Sequence, residues 1–141
     1  METQELYQIA RDHDIPVIIL DIPENGSMCI QTEQRCYIGM DYGVLPDEAT
    51  RRVHLGHELG HCETGAFYNR WAARDVRQKH ENRADKWAIK KLIPKDELDR
   101  AVAAGNTDLW SLADYFNVTL PFMKKAICLY TRGNLAADLY F

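Results

Sequence analysis

The segment His57-Glu58-Leu59-Gly60-His61 carries the clearest chemistry in the chain. On a helix, positions i and i+4 lie one above the other, so both imidazoles can reach one tetrahedral zinc ion. Glu58 is then aimed at the metal's open position, where a hydrolase needs its general base. The same letters arise by chance in histidine-bearing amphipathic helices, so the surrounding residues decide. Gly56 and Gly60 lie inside this helix, although each glycine costs about 1 kcal/mol against alanine there. Both make sense if another backbone or a substrate must come close.

A catalytic zinc takes three protein ligands and leaves its fourth position to water. Glu81 supplies the third ligand best. It opens a second predicted helix over residues 81–93, with Ala84, Asp85 and Ala88 on the same face at i+3, i+4 and i+7. The alanines allow that helix to pack near the histidine helix, and Asp85 can accept the second N–H of a ligand histidine. His80 is the competing third ligand. Glu63 points off the face of His61, and Asp75 falls in a predicted loop without a supporting partner. Thr64 and Phe67 stand where a metzincin needs glycine and histidine, which excludes that class. His54 reads as a supporting or core histidine and His13 as silent. Tyr68 and His80 are candidates to steady an oxyanion. Cys62 reads as a small buried hydrophobe, and Trp71, Trp87 and Trp110 as core or groove wall.

These residues resemble a known family. His57-Glu-Leu-Gly-His61, then Glu81-Asn-Arg-Ala84-Asp85-Lys-Trp87-Ala88 and Leu92-Ile-Pro94, look like the ImmA/IrrE family of small metallo-endopeptidases of bacteria, prophages and conjugative elements. The specific motifs cover residues 45–95. The resemblance implies a gluzincin-like site in which His57, His61 and Glu81 bind zinc. It also implies a protein substrate, a phage-type helix-turn-helix repressor encoded nearby and cut to release its operon. Trp87 stands where many relatives have phenylalanine, and the larger sensor region that some relatives carry is not expected.

The elements that must position these residues follow from periodicity. Residues 5–13 read as a short helix, and 16–20, 27–31 and 35–39 as three short strands separated by turns such as Asn25-Gly26. The histidine helix begins at Pro46 or Asp47 and stops at Gly65. Shorter helices are predicted over 95–104, 108–116 and 119–130, while the apolar tail from Asn134 is left as helix or strand. The predicted fold is α+β: a small antiparallel sheet of about three strands packed on a helix pair, followed by a helical C-terminal region. With 141 residues, one domain is expected, divided into residues 1–45, 46–94 and 95–141.

Composition narrows the partners. No apolar run approaches the roughly 20 residues a membrane helix needs, and the acidic start lacks the form of a secretory signal, so a cytoplasmic protein is expected. In that compartment Cys29, Cys36, Cys62 and Cys128 are expected to stay reduced, although a cross-strand Cys29–Cys36 pair is geometrically conceivable. The net charge is -4 with a pI near 5.7, and the positive charge gathers over residues 70–91. This pattern disfavours nonspecific nucleic-acid binding.

The rival function is a DNA-binding regulator, because residues 111–126 have helix-turn-helix spacing. Ala113, Val118 and Met123 fall at its packing positions, with Asn117 at the turn. The would-be recognition helix, however, starts Leu120-Pro-Phe-Met123 and offers only Lys124 and Lys125 to phosphates. A packing motif is the better reading, with a possible part in docking a repressor. A further alternative is a repressor-binding protein whose zinc site is structural or inactive on its own. The intact Glu58 favours catalysis, since a structural site has no use for a base.

Overall fold

The computed structural model describes residues 1–69 and 71–141; Arg70, in the basic stretch noted above, lies outside the described residues. Six α-helices and three strands occur among them. The order is α1 (Thr3–Asp12), β1 (Val17–Ile19), β2 (Ser27–Gln31), β3 (Cys36–Met40), α2 (Glu48–Thr64), α3 (Arg74–Leu92), α4 (Lys95–Ala103), α5 (Leu109–Phe116) and α6 (Leu120–Arg132). A short 3-10 turn, Ala137–Leu139, follows in the tail. The fold is α+β with a helical C-terminal region.

The sheet is mixed rather than antiparallel as expected. Its order is β1-β3-β2, with β3 antiparallel to β2 and parallel to β1. The turn at Thr32, whose N–H and hydroxyl both reach the Arg35 carbonyl, makes β2 and β3 a hairpin. The chain has then reversed twice since β1, so β3, placed at the centre, runs parallel to it. Periodicity identifies strands but does not say which one takes the middle. Ile38 and Met40 on β3 are fully buried beneath the helices.

Helix α2 is the strut of the molecule. Asp47 caps its start by accepting from the Thr50 N–H at 2.7 Å, and Gly65 ends it at φ +67°, a left-handed conformation that favours glycine. Buried Arg52 near its start donates to the Phe116 and Asn117 carbonyls and to Thr3 Oγ1. Those carbonyls end α5 without helical partners of their own, so one guanidinium fastens the C-terminal region to α2. Ala113, Val118 and Met123 are buried in the α5–α6 core, in keeping with a packing motif.

At the other end of α2, Cys62 forms a disulfide with Cys36 of β3, with Cα atoms 5.8 Å apart. The expectation of four reduced thiols is thus overturned at two of them, and Cys36 pairs across to a helix rather than with Cys29. The two cysteines are 26 positions apart in the chain, and the packing of β3 on α2 brings them together. Cys29 and Cys128 are free thiols.

Helix α3 starts at Arg74, earlier than expected, which moves Asp75 from a loop into its first turn and Glu81 to the helix interior. Its first two turns bury no residue; the apolar contacts begin at Ala84, so no periodic stripe betrays the early start. Trp71 and Trp110 are 79% and 70% exposed, so neither is a core residue, whereas Trp87 packs against the core.

The crossing of α2 and α3 is very close. A Cβ on Gly60 would come within 2.4 Å of the Ala84 carbonyl oxygen and 2.9 Å of its Cα. A Cβ on Gly56 would meet only side chains, Leu92 Cδ1 at 3.1 Å and Ala88 Cβ at 3.4 Å. Gly60→Ala is therefore expected to lower the unfolding free energy of chelator-treated protein by about 1–3 kcal/mol, the usual range for overpacking. Gly56→Ala is expected to change it by no more than about 1 kcal/mol, since the added helix propensity offsets a small adjustment of Leu92. Urea denaturation followed by circular dichroism checks both; equal losses would contradict this assignment of the tight contact.

Candidate metal centre

Where α2 and α3 touch, three donors converge. His57 and His61, stacked one turn apart on α2, bring their Nε2 atoms to 3.1 Å with the rings nearly perpendicular. Glu81 on α3 places Oε2 at 2.8 Å from His57 Nε2 and Oε1 at 3.1 Å from His61 Nε2. The small residues at the crossing, Gly60 against Ala84, allow a carboxylate one turn from Ala84 to reach both rings.

The outer nitrogens of both rings are engaged. His57 Nδ1–H donates to Asp85 Oδ1 at 2.7 Å, and His61 Nδ1–H donates to the Ala66 carbonyl, which the left-handed turn at Gly65 brings back over the helix end. With Nδ1 protonated in each case, both Nε2 atoms face the shared point as potential ligands. Asp85 in turn accepts from Lys125 Nζ of α6 at 2.9 Å. The Tyr68 hydroxyl donates to Glu81 Oε1 at 2.9 Å.

His57, His61 and Glu81 form a group able to hold a metal ion. Zinc with tetrahedral N and O ligands at about 2.0–2.2 Å separates its donors by about 3.3–3.6 Å. The observed separations are a few tenths of an ångström short of that, so two imidazoles and a carboxylate fit such an ion after a small outward movement.

In the metal-free chain a proton takes the place of the cation. Burial opposes a charge on His57, but the Asp85 and Glu81 hydrogen bonds, with Glu58 nearby, outweigh it and raise its pKa to about 10. Burial likewise opposes the Glu81 charge, yet the bonds from His57 and His61 hold that carboxyl well below the usual range. Burial and the Glu81 hydrogen bond push the Tyr68 hydroxyl up to about 12. Burial, then the Glu58 and Glu81 carboxylates, raises the Cys29 thiol, which stays protonated.

The other residues singled out from the sequence fall as follows. Glu58 is buried beside the donor group, its Oε2 accepting from Ser27 Oγ on β2. His80 stands outside the donor group; its ring stacks on Tyr68, and its Nδ1 is buried without a hydrogen-bond partner among the described residues. Glu63 points away and pairs with His13, which is therefore not silent. His54 bonds to Ser27.

Sequence reasoning missed Ser27, Ala66 and Lys125. Lys125 was visible only as a possible phosphate contact, and a backbone carbonyl leaves no mark in a sequence. Ser27 and Cys29, alternating on a strand, were the one available hint of a face turned toward Glu58.

Two cavities flank the donors. One of about 450 Å³ reaches toward α6 between Val53, His54, Thr119, Phe122 and Lys125. The other, of about 410 Å³, lies under Met28, Cys29, Phe67 and Tyr68. Both share Asn25, Ser27, His57 and Glu81, so the two cavities meet at the donor group.

A helix bearing paired histidines, crossed by a helix that supplies a carboxylate beneath an open cleft, is the layout of a metallopeptidase. The chain belongs to the family of the IrrE N-terminal-like domain, Peptidase M78, whose sequence model matches residues 10–127. No curated protein and no solved structure gives a match to it. Among the described residues no helix is long and apolar enough to cross a membrane.

Because His57 is protonated in the metal-free fold up to about pH 10 but only to about pH 6.5 in the unfolded chain, its bonds stabilise the fold fully below that lower value. The stabilisation is lost as pH rises through the upper one. Chelator-treated protein is thus expected to melt at progressively lower temperature from pH 6.5 toward pH 10. A melting temperature that is flat or rising over that window contradicts the proton on His57.

Proposed function

We propose that the chain is a zinc-dependent, gluzincin-like endopeptidase that cuts a helix-turn-helix repressor encoded nearby. In this reading His57, His61 and Glu81 are its zinc ligands and Glu58 is its general base. The observation that carries it is the convergence of the two Nε2 atoms and the Glu81 carboxylate within 3.1 Å of one another, with buried Glu58 alongside. Zinc held there would act as a Lewis acid, lowering the pKa of a coordinated water from about 15.7 to about 7 and polarising the scissile carbonyl.

The residues divide the remaining work. Asp85 and the Ala66 carbonyl keep the imidazoles in the tautomer that offers Nε2. Glu58 takes a proton from the attacking water onto a carboxylate oxygen and passes it to the nitrogen of the leaving amine. The Tyr68 hydroxyl, protonated at neutral pH, donates to Glu81 in this structure; turned from Glu81 to the substrate, the same proton would meet the negative charge that develops on the carbonyl oxygen. His80 stacks against the Tyr68 ring and supports it from behind.

A repressor substrate is supported by the resemblance of the motif region to ImmA/IrrE proteins and by the two cavities that flank the donor group. A DNA-binding role is disfavoured by the state of the two lysines it would need. Lys125 is committed to Asp85, and Lys124 lies over the Phe141 ring.

Purified protein with zinc, incubated with the repressor encoded beside it, is expected to yield two fragments by mass spectrometry, and a chelator is expected to stop the reaction until zinc is restored. Glu58→Gln is expected to keep its zinc and lose about a hundred- to ten-thousand-fold in rate, the worth of a positioned base. Glu81→Ala is expected to lose stoichiometric zinc. Cleavage by Glu58→Gln at the wild-type rate would remove Glu58 from this role.

A further inference from the structure

The Glu58 carboxylate is 4% exposed and is held by a hydroxyl that is itself buried. Ser27, 1% exposed at the start of β2, donates from Oγ to Glu58 Oε2 at 2.7 Å. The same Oγ lies 2.7 Å from His54 Nδ1. A serine hydroxyl has a single proton, and Ser27 commits it to Glu58. His54 Nδ1–H must therefore be the donor in the second bond, which leaves Nε2 bare in the neutral ring. Burial disfavours the imidazolium form of His54, in agreement with a neutral ring.

The bonds run His54 to Ser27 to Glu58. They link two residues one turn apart on α2 through one residue of the neighbouring strand. Strand β2 also turns the Cys29 thiol toward the same carboxylate, as expected for positions i and i+2. Asp85, the other buried carboxylate among the described residues, is matched by the Lys125 cation. Glu58 is held instead by a neutral donor, which fixes its direction without pairing its charge.

We propose that Ser27 and His54 are positioning residues for Glu58: the bonded chain pins Oε2 and so holds the carboxylate in one rotamer beside the two histidines. This role rests on the reading of Glu58 as the base. A carboxylate on a flexible stem samples several rotamers, and a displacement of about 1 Å at a reacting group can cost on the order of a hundredfold in rate.

Two measurements test it. In zinc-free protein carrying 13C-labelled glutamate, Glu58 is expected to give one set of side-chain signals in the wild type and in His54→Asn, whose amide keeps a donor near the Nδ1 position. In Ser27→Ala and His54→Leu those signals are expected to average between rotamers. With zinc and the repressor encoded beside it as substrate, Ser27→Ala and His54→Leu are each expected to lower kcat about 10- to 100-fold, with KM and zinc affinity unchanged. His54→Asn is expected to stay near the wild type. The double variant is expected to be no slower than the slower single one, since both act through the same chain.

Glu58 signals unchanged by both Ser27→Ala and His54→Leu, or losses that multiply in the double variant, would overturn the proposal. If Ser27→Ala fails to fold, the contrast between His54→Leu and His54→Asn decides. If wild-type protein with zinc cuts no repressor, the peptidase reading fails, while the spectra still decide whether Ser27 and His54 hold Glu58.

Discussion

The distance between α2 and α3 at Gly60 and Ala84 is the constraint on which the rest depends. No side chain separates the two backbones there, and a single Cβ would collide with the Ala84 carbonyl. Held at that distance, a carboxylate one turn before Ala84 reaches two imidazoles that share a face of α2. A methyl group added at Gly60 would force the two helices apart and carry Glu81 away from both rings.

The remaining structure fixes α2 from every side. Arg52 anchors its first half to the end of α5 through backbone carbonyls, and the Cys36–Cys62 disulfide joins its last turn to the central strand. Between these anchors, β2 reaches Glu58 and α6 sends Lys125 to Asp85. Partners of the site thus come from β2, α3 and α6, although both histidines and Glu58 lie on α2. The electrostatics has the same economy. Three carboxylates, Glu58, Glu81 and Asp85, surround two imidazoles, and this negative environment suits a divalent cation. Without one, it draws a proton onto His57.

What could be read from the sequence was what local periodicity determines. His57, Glu58 and His61 share a helical turn, so their grouping needs no knowledge of the fold. Glu81 was within reach because Ala84, Asp85 and Ala88 mark a small-residue stripe, and Asp85 lies where that stripe meets His57. The ends of α2 were legible in Asp47 and Gly65, whose capping chemistry is local. Nonlocal facts were not legible. The central place of β3 and the Cys36–Cys62 pairing depend on which surfaces meet, and α3 begins with two turns that bury nothing and so show no pattern. Ser27 escaped because one small polar residue on a short strand looks like any solvated position until the helix bearing Glu58 is laid against it.

X-ray absorption at the zinc edge of protein reconstituted with one equivalent of zinc tests the central claim most directly. A first shell of nitrogen and oxygen alone at about 2.0–2.2 Å, with outer scattering from two imidazoles, is the expected spectrum. A sulfur scatterer at about 2.3 Å, which the nearby Cys29 would supply, or failure to retain zinc at all, would contradict a centre built from His57, His61 and Glu81.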